Sequence, residues 1–494
     1  MEGMAKKRAA ANTEDDRLSS LPDSLLHHIL SFLDMTDVVR TVLLSRRWRD
    51  LSASVSHLNF HFRYEVSFYS EEAFVRFVYR ALLVNTTQKI HKFQLCFDSN
   101  HPEKYVSQVD AWIHFAMRRG VQELDLDFSN RVYDSYVLPS CLFMNCRTLN
   151  SLKLTTHCLG VSNFGSFPNL TTLSLQLEGV RDGSIEHILK GCPRLEELVI
   201  RANVFCTSEV KICSSSSPSN LGLRRFTMEG EIVGVDVEAP NLEFFKMKIC
   251  GEKLGKYSFK DMLFLREACL EFSKRSGLFK RVEQVSSLTT SIQNLCHARV
   301  LQLSSTCIKA LSLQELQDLP ASIFKHKCLI LETALIKWEL PGIAYLLKNS
   351  CNLETLIIKI ISKHYSRYNL NVELAKKHNF DEMVYWESFL SPFSCLMNHL
   401  KTIKVWDYDE ELCLSLLESS TSEASLEKQG NEIRFLKNLL KSAMYLEKLT
   451  LYITKEINFR VTLRNPKALH GIAQIIRAFP RASSCMEVSV FVSD

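Results

Sequence analysis

One apolar template constrains this chain more than any other feature. From residue 90 onward Leu-x-x-Leu-x-Leu, with other apolar residues admitted, recurs as IHKFQL, VQELDL, LNSLKL, LTTLSL, LEELVI, LRRFTM, LEFFKM, LREACL, ARVLQL, LETLII, LKTIKV and LEKLTL. These units begin at residues 90, 121, 149, 170, 195, 223, 242, 265, 298, 353, 400 and 446, and a weaker one, HKCLIL, begins at 326. In an extended backbone the last two apolar side chains of each unit turn the same way, and the residue between them turns the other. Each unit therefore predicts a short strand with one buried face. A lone strand of this kind cannot bury that face, so the pattern requires a stack of neighbours.

The segment after each strand must return the chain to start the next. DGSIEHILKGCPRL shows how: Ile185, Ile188 and Leu189 recur at helical spacing, and Gly191 and Pro193 end the run. Near the C-terminus Ile433, Leu436, Leu440 and Ala443 form another helical stripe, leading into a strand expected at Leu446–Leu451 and expected to close the stack. CSSSSPSNLG, near 213–222, and ESSTSEASLEKQGN, near 418–431, read as flexible linkers by composition.

Residues 17–60 follow a different pattern, helical throughout and closed by an expected loop at Ser56-His57. Pro22 suits a first helical position, Asp23 complements the positive end of the helix dipole, and Leu25, Leu26, Ile29, Leu30 and Leu33 recur at helical spacing. Thr36 is the expected cap of a second helix over 37–43, and Ser45 that of a third, in which Trp48 and Leu51 share a face. So few apolar residues cannot sustain an independent core in about forty residues, so the surplus is expected to cover another surface, that of a helical partner.

Composition narrows the remaining classes. With 46% hydrophobic and 23% charged residues the chain is expected to be globular, and a net charge of +5 over 494 residues implies no nucleic-acid partner. Sixteen scattered cysteines form no dense framework and suit reduced, mostly buried thiols. The first twenty residues contain no apolar signal region, and no apolar stretch approaches a membrane span, so nucleus and/or cytoplasm are the expected locations and a membrane is not an expected partner. No His-Glu-x-x-His, paired Cys-x-x-Cys, phosphate-binding glycine loop or Gly-x-Ser-x-Gly elbow occurs, and Cys141-x4-Cys146 has no matching pair. No catalytic residue, metal site or cofactor is expected.

Three resemblances follow from these residues. LPDSLLHHILSFLDMTDVVRTVLLSRRWRDL resembles an F-box, whose pattern runs Leu-Pro, apolar pairs at helical spacing, then Ser-(Arg/Lys)-Arg-Trp. The template array, with FVRFVYRALLVNTTQKIHKFQLCFD and QVDAWIHFAMRRGVQELDLDFS, resembles plant F-box/leucine-rich-repeat proteins. HLKTIKVWDYD with NEIRFLKNLLKSAMYLEKLTLYI resembles the FBD region at the end of many of them.

The resemblance implies an α/β repeat fold: a three-helix F-box, then an irregular solenoid with parallel strands on its concave face and helices and turns outside. The expected divisions are a disordered tail (1–16), the F-box (17–60), a linker helix (61–89), the repeat array (90–399) and FBD-like terminal repeats with a cap (400–494). The family further implies a substrate-recognition subunit of an SCF-type cullin–RING ubiquitin ligase. Leu21, Pro22, Leu25, Ile29, Leu33, Val38, Leu43, Leu44 and Trp48 would then build the F-box and contact a Skp-type adaptor, and through it the cullin and RING subunits. A protein substrate would meet the outward strand residues, among them Asp125, Lys153, Arg201, Glu229, Lys246, Lys248, Lys359, Lys404, Trp406 and Tyr452. Trp406 and Tyr452 are the candidate hot spots, and Lys404 and Arg201 are further candidate substrate contacts; packing of the two rings against a terminal helix is the other reading. An adaptor-bound scaffold without ligase function and a small-ligand receptor are the alternatives.

Overall fold

The computed structural model describes residues 17–18, 20–64, 67, 70–128, 139, 142, 146–156, 165–180, 184–205, 210–213, 222–250, 255–272, 282–316, 322–361, 399–408, 431–454 and 466–493. The expected tail and most of both flexible stretches lie outside these residues, as does Cys141. The chain divides into two compact units, residues 1–176 and 177–494.

The first unit opens with three short helices, α1 (Asp23–Leu30), α2 (Met35–Thr41) and α3 (Arg46–Ala53). Asp34, not Thr36, caps α2: its carboxylate accepts the Asp37 N–H at 2.9 Å and holds the Thr36 hydroxyl as well. Ser45 caps α3 through the Trp48 N–H, as expected. Leu26, Leu30, Met35, Val38, Trp48 and Leu51 turn inward and are buried.

Strands β1 (His57–Arg63), β2 (Lys92–Asp98), β3 (Glu123–Asp127), β4 (Ser151–Thr156) and β5 (Thr172–Val180) follow, adjacent in that order, and β1 to β4 pair in parallel. Helix α4 (Glu71–Val84), capped by Ser70, links β1 to β2, and α5 (Val106–Arg118) links β2 to β3. The sheet thus starts at His57, inside the expected F-box and well before residue 90. The segment expected to be a linker helix is the return helix of the first repeat. Val55-x-x-Leu58-x-Phe60 fits the apolar template and carried the signal.

In the second unit, α6 (Ser184–Gly191) precedes β6 (Glu197–Phe205), and Ile185, Ile188 and Leu189 are buried as their spacing requires. From β6 the sheet of this unit passes through β8 (Arg225–Glu231), β10 (Phe244–Ile249), β12 (Glu267–Phe272), β13 (Val300–Leu303), β14 (Cys328–Thr333), β15 (Thr355–Ile360), β16 (Thr402–Tyr408), β17 (Lys448–Thr454) and β18 (Glu487–Ser493), each parallel to the one before. Where helices would be expected between β6 and β12, the chain places a second layer of short strands, β7 (Val210–Cys213), β9 (Val235–Glu238) and β11 (Tyr257–Lys260). These form a parallel sheet of their own in the order β11-β9-β7. Val235 and Val237, or Tyr257 and Phe259, give that layer its buried face.

Helices return with α7 (Val282–Asn294), α8 (Ser305–Leu316), α9 (Leu340–Lys348), α10 (Asn431–Ser442) and α11 (Pro466–Arg477). α8 and α9 pack so closely that a Cβ on Gly342 would lie 2.0 Å from the Ile308 carbonyl oxygen. The Gly342 N–H instead donates to Ser312 Oγ at 2.7 Å. The α10 stripe of Ile433, Leu436 and Leu440 is buried as expected, but α11 and β18 add one more repeat after it. The core lies under the strands: both template apolar positions of every repeat from Phe93 and Leu95 to Leu449 and Leu451 are buried. Each such leucine contributes about 1.5–3 kcal/mol of burial free energy, which is what holds a fold without a metal cluster among the described residues.

Candidate functional site

Two surfaces can bind partners. The first lies on the N-terminal helices. α1 carries two adjacent apolar rows: Leu26 and Leu30 face the core, whereas Leu25 (48% exposed) and Ile29 (37%), with Phe32 (74%) in the turn that follows, stay uncovered. α2 ends at Thr41, two residues before Leu43, and the turn behind it is held by N–H donation from Leu43 to the Arg40 carbonyl and from Leu44 to that of Thr41. That turn pushes Leu43 and Leu44 into solvent, at 88% and 63% exposure. Pro22 is exposed, and Leu21 and Leu33 are half-buried. Apolar surface of this extent on so small a module marks an interaction face.

Arg47 joins the two ends of the expected motif. Its guanidinium donates to the Leu21 carbonyl at 2.6 Å and to Asp23 Oδ1 at 2.8 Å, fixing the Leu-Pro turn against the start of α3. Val38 and Trp48, expected both to build the module and to lie at the partner contact, are buried in its core. Phe32, in the turn after α1, and Val39, on α2, are also exposed and were not among the expected residues. Phe32 continues the Leu25–Ile29 row by a further three residues, so its place was legible.

The second surface is the outward face of the strands. In the first unit Lys153 pairs with Asp125 at 3.2 Å. In the second, Arg201 reaches Glu229 at 3.3 Å and Lys248 reaches the same carboxylate at 3.0 Å. Lys246 pairs with Glu271 at 3.3 Å, Gln302 donates to Glu332 at 2.9 Å, and Lys359 pairs with Glu332 at 3.6 Å. Alternating charges on successive strands therefore neutralise one another. Arg201 belongs to this ladder and sits on β6, far in strand order from Trp406 on β16.

At β16 the ladder changes character. The Trp406 and Tyr452 rings stack with centroids 3.7 Å apart and planes 9° from parallel, and Phe491 stacks on Tyr452 at 5.8 Å. The two expected hot spots are thus brought together, ring on ring. Phe491, half exposed, completes the row and was missed, because the template was followed only as far as 446. The alternation Val488-x-Val490 was the available signal. Among the described residues no group of histidine, cysteine and acidic side chains could hold a metal.

Residues 18–59 match the F-box domain model, and residues 109–256 match the model for the leucine-rich repeats of the FBD-associated F-box protein At5g56370. Among curated proteins of Arabidopsis thaliana, the putative F-box protein At1g49610 is 30% identical over 73% of this chain and 88% of its own length. The F-box/LRR-repeat protein At4g14096 is 31% identical over 70% of this chain and 73% of its own. The chain belongs to the plant F-box/LRR-repeat family. The F-box/LRR reading accounts for both surfaces: the apolar helices coincide with the matched F-box, and the strand array is the repeat body. Proteins of this family are typically non-catalytic adaptor subunits with a general role in substrate recognition by SCF-type ligases.

Proposed function

We propose that this chain is the substrate-recognition subunit of an SCF-type cullin–RING ubiquitin ligase. Its F-box binds a Skp-type adaptor, which brings the cullin and RING subunits, and its strand face holds a protein substrate. The uncovered row Leu25–Ile29–Phe32, together with the exposed Leu43 and Leu44 on a matched F-box, carries this reading. The chain supplies no acid, base or nucleophile; it raises the local concentration of substrate lysines at a charged conjugating enzyme, a rate gain from tethering. Nucleus and cytoplasm are where we place that activity. The neutralisation of Lys246 and Lys248 by Glu271 and Glu229 weighs against a polyphosphate pocket at these repeats.

Co-purification of the full chain with a Skp-type adaptor tests the reading. The intact chain is expected to retain the adaptor, and a folded Ile29→Asp variant to lose it, since a charge on the apolar contact must be desolvated. No retention by a folded intact chain would overturn the ligase reading.

A further inference from the structure

The aromatic end of the strand face differs from the rest in its charges as well as its rings. Lys404 lies two residues before Trp406 on β16, so both side chains leave the strand on the same face, about 6.7 Å apart along it. Among the described residues Lys404 has no ion-pair partner, whereas Arg201, Lys246, Lys248 and Lys359 each have a carboxylate. Its register neighbour on β15 is Ile357, half-buried, which continues the apolar surface beside the rings.

We propose that Lys404 and the Trp406–Tyr452–Phe491 row bind an extended segment of the protein substrate in which a large apolar side chain stands two residues from an aspartate or glutamate. The proposal rests on the substrate-receptor reading and names its substrate class. An extended peptide presents residues i and i+2 on one face with the same spacing that separates Lys404 from Trp406. Its apolar side chain meets the exposed ring of Phe491 and the half-buried rings of Trp406 and Tyr452, and aromatic surfaces of this kind carry a large share of interface energy. Its carboxylate meets the cation that lacks one. A basic peptide would instead bring a second positive charge against Lys404, and like charges in contact select against a partner.

The test uses the full chain and fluorescein-labelled short glycine/serine peptides carrying Phe-Ser-Asp, Phe-Ser-Lys, Ala-Ser-Asp or adjacent Phe-Asp, read by fluorescence polarisation. Phe-Ser-Asp is expected to bind about two- to fivefold more tightly than each of the other three, the scale of one exposed charge pair or one lost ring contact. Lys404→Glu is expected to reverse the preference towards Phe-Ser-Lys, and Tyr452→Thr to weaken both, with far-ultraviolet circular dichroism unchanged. Equal binding of all four peptides, or a preference that survives Lys404→Glu in a folded variant, overturns the proposal. The adaptor is absent from this assay, so failure to bind adaptor with peptide selection intact would sink the ligase reading and leave the peptide site supported.

Discussion

Lys309 Nζ lies 3.9 Å from Glu339 Oε1 where both side chains are withdrawn from solvent, at 3% and 0% exposure. Burial pulls the Lys309 ammonium below its ordinary pKa, and the Glu339 carboxylate pushes it back up. Glu339 has other partners: the hydroxyls of Ser305 and Thr333, the latter at 2.7 Å, and the Ala334 N–H at 3.0 Å. It ties the start of α8 to the end of β14 and the start of α9.

Removing the carboxylate should therefore cost more than removing the ammonium. Glu339→Ala leaves a buried cation and several orphaned donors, and is expected to destabilise by about 3–5 kcal/mol. Lys309→Met fills similar volume and leaves a carboxylate that is still hydrogen-bonded, so its cost should be clearly smaller. Urea unfolding of both variants checks the order; equal costs would contradict it.

A histidine in a leucine's place predicts a pH dependence. His326 stands at the leading template position, where neighbouring repeats carry apolar residues, and burial holds its pKa down, from 6.5 to about 4. Ser350 Oγ meets its Nε2 at 2.9 Å, but Nδ1 has no hydrogen-bond partner among the described residues. Because the folded pKa is depressed, the unfolded chain takes up the proton first. Stability is full above pH 6.5 and is lost as pH falls towards 4, by roughly 3 kcal/mol from this group. His326→Leu should flatten that part of the curve, measured as urea midpoints between pH 7 and pH 4.

The two kinds of F-box residue should respond differently. Leu44→Asp changes an exposed side chain and is expected to abolish adaptor retention while leaving the thermal midpoint within a few degrees of the parent. Val38→Asp places a charge in the core and is expected to unfold the module before binding can be measured. Calorimetry alongside co-purification separates the two outcomes.

Gly342 offers a test of packing. Gly342→Ala would drive a methyl group into the Ile308 carbonyl and displace the Ser312 hydrogen bond, so a loss of about 1–3 kcal/mol or more is expected from overpacking. Denaturant unfolding measures it, and a neutral substitution would mean that α8 and α9 can separate at little cost.

Much of this fold was legible because the template encodes burial directly: Leu301 and Leu303, or Leu356 and Ile358, could face only the core. The short strands β7, β9 and β11 were not found because four residues carry too little alternation to outweigh the expectation of a return helix. β1 was hidden by an array counted from residue 90, although Val55 and Leu58 fit the template. On α1 the spacing identified Leu25 and Leu26 together, but one turn of a helix offers both to the same arc, and only packing decides which faces α3. The stacking of Trp406 on Tyr452 was within reach of strand register; the charge pairing that leaves Lys404 without a carboxylate among the described residues required the neighbouring strands in place.

The junction between α3 and β1 leaves the F-box no hinge. The Ala53 carbonyl accepts the Thr86 N–H at 2.8 Å, that of Val55 accepts the Asn85 side chain at 3.0 Å, and that of Ser56 accepts the N–H groups of His91 and Lys92. Arg119 in turn clasps the Asn85 carbonyl at 3.1 Å. The first repeats are therefore a bracket bolted to the F-box helices, not a load hung from a cord. Whatever orientation those helices take is passed directly into the first strands, and glycine–serine residues spliced in after Ala53 would let that aim drift.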